Sequence, residues 1–164
     1  MKFKILFAAV TSTLLYFTAQ GASAESYRGY DNSKDATLGF GVNVGLEGDE
    51  AQGETSVAVF GKVPVENNVS IRPTLGVGDN FNLNLPVTLD LPIRNVLGAV
   101  EVTPYIGLGL SMNDDEGLEA APLATGGVEV PLDSRYNFVA QVDAAFYDNT
   151  AVGGLLGISH NFQP

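Results

Sequence analysis

Three segments of the chain place an ionisable side chain two residues before a proline: Lys62-Val63-Pro64-Val65, Asp90-Leu91-Pro92-Ile93 and Glu129-Val130-Pro131-Leu132. If the segments occupy equivalent places in a fold, Lys62, Asp90 and Glu129 come to one level. Arg72 and Glu101 fall near the same level. Opposite charges gathered away from water can pair, whereas a lone buried charge is costly. The first expectation is therefore a cluster of paired charges closing an interior. The alternative is a narrow passage favouring cations, lined by Asp90, Glu101, Glu129 and Asp143. Either chemistry needs a scaffold that turns these side chains toward a shared centre.

Other candidate chemistry is thin. His160 is the only histidine in the sequence. A histidine can activate a serine, but Ser159 is its immediate neighbour in an alternating stretch and points the opposite way. No phosphate loop, zinc spacing or nucleotide fingerprint is present. Asn113-Asp114-Asp115-Glu116 offers oxygen ligands suited to Ca²⁺, yet it lacks the twelve-residue loop spacing and reads as a solvated charge run. No enzyme activity, metal or cofactor is expected.

The scaffold is written as a period of two. From Phe81 to Ile93 every odd residue is large and apolar, and every even one is polar, charged or proline. That is the pattern of a strand with one apolar side. The run is longer than the five or six residues usual in soluble domains, and it matches the roughly 9–11 residues of a tilted strand crossing a bilayer. Similar phases recur along the chain. Leu38 to Leu46 gives a first strand. Val57, Val59, Val63 and Val65 give a second, and Val69, Ile71, Leu75 and Val77 a third. Phe81 to Ile93 is the fourth, and Val100 to Leu110 the fifth. Val128 to Leu132 marks the sixth, Tyr136 to Phe146 the seventh and Val152 to Phe162 the last. Polar and glycine-rich turns separate them, at Glu66-Asn67-Asn68, Gly78-Asp79-Asn80, Asp133-Ser134-Arg135 and Asp148-Asn149-Thr150. An even strand number puts both chain ends on one rim. Pro86 sits inside the fourth strand, where a missing N–H should break the ladder.

Residues 1–24 read as a cleaved signal peptide: Lys2 and Lys4, an apolar run from Ile5 to Phe17, then Ala22-Ser23-Ala24. Residues 25–36 read as a short leader, 37–162 as the strand domain and 163–164 as a tail. The whole chain has a net charge of -11, and losing two lysines and no acids with the signal takes the remainder to -13. Nucleic acid is excluded as a partner on that charge. There is no cysteine, so no disulfide supports the exported domain. Only 16% of residues are charged, against about 25% in typical soluble proteins.

Residue size decides which side of the strands faces inward. The non-apolar side is rich in glycine, at Gly39, Gly41, Gly45, Gly76, Gly78, Gly107, Gly109 and Gly127. An eight-strand barrel has just enough interior for side chains, so small residues belong inside and bulky aliphatic ones outside. The reverse would overpack the centre. Thr103-Pro104-Tyr105-Ile106-Gly107-Leu108-Gly109 resembles the "PY-x-G-x-G" strand of the small outer-membrane barrels of Gram-negative bacteria, the OmpA/OmpX type. Gly157-Ile158-Ser159-His160-Asn161-Phe162 is similar to the terminal strand signal read by the outer-membrane assembly machinery, with Gly157, His160 and Phe162 at its key positions. Gln163-Pro164 follow the aromatic where that family usually stops. With no Trp present, the girdles must rely on residues such as Tyr136, Phe138, Phe146 and Tyr147.

The expectation is an all-β protein, an eight-stranded antiparallel up-and-down transmembrane β-barrel in the outer membrane. The resemblance implies outer-membrane lipid, lipopolysaccharide and the assembly machinery as partners, and a monomer. Acidic loops at Glu47–Glu54 and Asn113–Gly117 could bridge lipopolysaccharide phosphates through divalent ions. The expected role is structural, in envelope integrity or surface contact. The alternatives are a narrow cation-preferring, porin-like channel and a soluble periplasmic barrel binding an apolar ligand.

Overall fold

The computed structural model describes residues 35–47, 55–78, 81–91, 93–96, 100–114 and 118–162. The signal peptide, most of the leader, the two-residue tail and most of both acidic loops lie outside these residues. Ten strands follow in order: β1 (Ala36–Glu47), β2 (Ser56–Glu66), β3 (Val69–Ile71), β4 (Thr74–Val77), β5 (Phe81–Asp90), β6 (Ile93–Val96), β7 (Val100–Asn113), β8 (Glu119–Pro131), β9 (Tyr136–Phe146) and β10 (Thr150–Phe162). The first opens at Ala36, one residue before the expected start of the domain.

All pairings are antiparallel, and they close. β1 bonds to both β2 and β10, and the ladder continues from β2 through β3 and β4 to β5, then β7, β8, β9 and back to β10. β3 and β4 lie end to end between β2 and β5 and act as one stave, so the cylinder has eight. Closure leaves no sheet edge, which is the only arrangement of strands that survives in hydrocarbon. Ala36 pairs with Phe162 in the β1–β10 register, so both described ends sit on one rim as the even count requires.

Two departures from the simple reading each involve a proline. The third stave is broken at Arg72–Pro73, and the fourth is followed by an extra segment, β6, which pairs with β7 at Ile93↔Val102 and Val96↔Val100. The first break falls at Pro73, and the sequence carries Pro92 just before β6; a proline has no N–H to give a neighbour. Pro86 is explained by the first break. It lies opposite the Arg72–Pro73 break, where one bond survives, from the Arg72 N–H to the Pro86 carbonyl at 3.0 Å. The donor that Pro86 lacks is thus missing where the adjacent ladder is already interrupted.

Local chemistry fixes the turns on the terminal rim. Asn68 takes φ 64°, a left-handed conformation that asparagine tolerates. The Asp133 carboxylate accepts from the backbone N–H groups of Arg135 at 2.7 Å and Tyr136 at 2.8 Å, an aspartate-capped turn.

The faces are inverted relative to a soluble domain. Phe40, Val57, Ile106 and Leu108 are exposed at 65%, 63%, 60% and 72%, while Asn84, Thr88, Asp90 and Asn137 are buried at 1% or less. Leu85, Val87 and Leu89 also face outward, so the apolar side of the fourth predicted strand looks away from the centre.

Small residues do not fill that centre alone. Phe60, Tyr105, Leu123, Val139 and Leu155 point inward and are buried. The glycines make their space: a Cβ on Gly39 would meet the Phe60 ring at 2.6 Å, one on Gly127 would meet the Tyr105 hydroxyl at 2.5 Å, and one on Gly157 would also strike Phe60. Gly39→Ala is expected to destabilise the barrel by about 1–3 kcal/mol through overpacking. Adding Phe60→Leu should recover part of that loss in thermal unfolding. If the two substitutions simply add, the ring does not depend on the glycine floor.

Candidate functional site

The interior of the half-barrel next to the terminal rim is lined from every side by strand residues of inward parity. Lys62 comes from β2, Arg72 from the β3–β4 break, Asp90 from β5, Glu129 from β8, Asn137 from β9 and Asn161 from β10. Arg72 reaches the centre because it shares the inward parity of Ser70 and Thr74.

The charges meet in a chain. Lys62 Nζ lies 3.2 Å from Glu129 Oε2. Arg72 Nη2 lies 3.1 Å from the same oxygen and 3.0 Å from Asp90 Oδ1. All four side chains are 5% exposed or less. Neutral donors complete the carboxylates. Ser70 Oγ donates to Asp90 Oδ2 at 2.5 Å, Thr88 Oγ1 donates to Asp90 Oδ1 at 3.3 Å, and Asn137 Nδ2 donates to Glu129 Oε1 at 2.6 Å. Two cations and two anions therefore cancel inside a low-dielectric space, with most remaining lone pairs occupied. This is the condition under which buried ions are tolerated.

Arg72 also covers an aromatic face. Its guanidinium carbon sits 3.8 Å from the centroid of the Tyr105 ring, a cation–π contact strengthened by the absence of water. The Tyr105 hydroxyl donates to Gln141 Oε1 at 2.8 Å. Phe60, also inward and buried, packs on the bare backbone of Gly39 and Gly157. The charge cluster, Tyr105 and Phe60 are all buried inward-facing side chains of the cylinder.

Of the residues singled out from sequence, Lys62, Arg72, Asp90 and Glu129 come together in this cluster. Asp143 does not join it. It accepts from Asn84 Nδ2 at 3.1 Å and from Gln141 Nε2 at 2.9 Å in the other half of the interior. Glu101 belongs to β7, and its side chain lies outside the described part of the molecule. His160 is on the outer face between Tyr136 and Phe162, with ring centroids 5.3 and 5.1 Å away, and buried Ser159 points inward. Tyr147 corrects one expectation: its hydroxyl donates to buried Ser111 at 2.9 Å. It turns over the barrel mouth instead of joining an outer girdle, as its odd parity with Asp143 and Ala145 dictates.

The neutral members of the network, Ser70, Thr88, Asn84, Gln141, Asn137 and Asn161, were not expected from sequence. Their common signal is inward parity on staves whose outward residues are mostly aliphatic or aromatic.

Comparison with protein-family models and with curated proteins gives no match. Solved structures do match. A de novo designed transmembrane β-barrel aligns over 79% of this chain and 96% of its own, with a TM-score of 0.60 and 11% identity. The N-terminal β-barrel domain of Pseudomonas aeruginosa OprF aligns over 79% and 98%, with a TM-score of 0.56 and 14% identity. The fold is that of an eight-stranded transmembrane β-barrel. The outer membrane protein Ail of Yersinia pestis, determined in a phospholipid bilayer nanodisc, aligns with this barrel over 79% of the chain and 99% of Ail, with a TM-score of 0.54 and 10% identity. At these identities the likeness is one of fold.

Proposed function

We propose that the chain is an integral outer-membrane barrel with a structural, envelope-integrity or surface-interaction role, and that its interior is closed to solutes. The observation carrying this reading is the inversion of polarity on a closed ladder. Bulky apolar side chains cover the outside, and ion pairs and amides fill the inside. In water, that outer surface far exceeds the few hundred Å² of contiguous apolar patch usual on soluble monomers. In lipid it is the favoured arrangement. The lengths of β5, β7, β8 and β10, at 10, 14, 13 and 13 residues, suit a bilayer crossing. The buried, inward-facing side chains of Tyr105, Phe60 and the four charges support closure over conduction.

The test has two parts. After fractionation the protein should partition with outer membranes and migrate on gels at different positions with and without boiling. Recovery in the aqueous fraction without detergent would favour the soluble ligand-binding reading. In planar bilayers the wild-type barrel should give no unitary conductance. Steady cation-selective steps would replace the closed barrel with the channel reading.

A further inference from the structure

The two halves of the interior are not electrically alike. Near the terminal rim, Lys62 and Arg72 balance Asp90 and Glu129. Four residues along β8 from Glu129, about 13 Å, Thr125 is the cross-strand partner of Asp143. Asp143 is 4% exposed, and among the described residues it makes no ion pair. Gly153 of β10 is its other cross-strand partner. Asn84 of β5 and Gln141 of β9 donate to it. The ionisable group nearest in this network is Tyr105, whose hydroxyl is spent on Gln141. Every donor is neutral, and an uncompensated carboxylate in such a space is expensive.

A second observation lies in the same half of the interior. Asn84 Oδ1 accepts from Ser111 at 2.7 Å, and Asn82 Nδ2 donates to Ser111 at 3.4 Å. The Oδ1 atom of Asn82, itself 3% exposed, is buried with no hydrogen-bond partner. This half of the interior thus holds one carboxyl group with no ion-pair partner and one orphaned carbonyl oxygen, linked by a chain of amides and a hydroxyl. Hard cations are bound by oxygen of this kind.

We propose that this half of the barrel binds one monovalent cation, with the Asp143 carboxylate as counter-charge, the Thr125 hydroxyl beside it and Asn82 Oδ1 reached through water. A single carboxylate matches a single positive charge. A Ca²⁺ site would call for more acidic ligands, and among the described residues no group of three Asp, Glu, His or Cys side chains converges. The site is separate from the charge cluster and stands whether or not the barrel conducts.

The test is thermal unfolding of the folded chain in zwitterionic detergent, titrating NaCl against N-methylglucamine chloride at constant ionic strength. The organic cation is far bulkier than sodium and serves as the comparison ion. The wild type should show a saturable rise in Tm of roughly 5 °C with sodium. Asp143→Asn, which keeps shape and removes the charge, should lose the rise. Asp143→Ser serves the same purpose if the amide does not fold. A wild type indifferent to the exchange, as a protonated Asp143 would make it, overturns the proposal. So does a sodium effect that persists undiminished in the variant, which would place it on the acidic loops.

Discussion

Arg72→Met should unfold at markedly lower temperature or denaturant than the wild type, with a loss of about 3–5 kcal/mol. Arg72 is the link of the buried cluster: it bonds Asp90 and Glu129 at once and lies on Tyr105. Methionine fills a similar volume but leaves two carboxylates to share one cation. Glu129 keeps Lys62 and Asn137, whereas Asp90 keeps only neutral hydroxyls. The stranded charge is therefore Asp90. Adding Asp90→Asn removes it, and the double variant should recover most of the loss, because balanced charge is restored at Lys62–Glu129. Unfolding followed by tryptophan-free probes such as gel mobility or far-UV dichroism measures the cycle. An Arg72→Met barrel as stable as the wild type, or a double variant no better than the single one, would mean that these ion pairs do not hold the interior together.

Leu108→Arg is the second large effect. Leu108 is 72% exposed in the middle of β7, and Leu118 is 78% exposed just before β8. In water the two would be equivalent, and arginine at either would be harmless. In a bilayer, arginine costs about 2–4 kcal/mol near mid-depth and about 0–1 kcal/mol near the interface. Folding into lipid vesicles should thus be impaired by Leu108→Arg and little changed by Leu118→Arg. Equal and negligible effects would place the belt in water.

The fold was legible because parity carries it. An interior that accepts polar side chains and an exterior that accepts greasy ones impose strict alternation on every stave, and Phe81 to Ile93 displays it without error. The staves' interruptions were less legible, since Pro73 and Pro86 make sense only when placed opposite each other across a ladder. Parity also puts Phe60, Tyr105 and Tyr147 inward, but the argument from residue size pointed to a centre of small side chains, and the search for girdle aromatics pointed to Tyr147. What reconciles the two is pairing of large with absent: rings stand on glycines one or two staves away, and that complementarity is a property of register. The convergence of Lys62, Asp90 and Glu129 could be anticipated from their repeated place before prolines, with Arg72 near the same level. The amides and hydroxyls that complete them could not, because Asn and Thr at inward parity look the same whether they bond a carboxylate or face water.

The direction in which the apolar face looks can be read with single cysteines, since the native sequence contains none to remove. A bimane label would be placed in turn at Phe40, Val87 and Leu108, and at Asn84, Thr88 and Thr125, in vesicles containing brominated acyl chains. Strong quenching at the first three positions and weak quenching at the last three is the predicted result. Quenching at Asn84, Thr88 and Thr125, with Phe40, Val87 and Leu108 shielded, would contradict it.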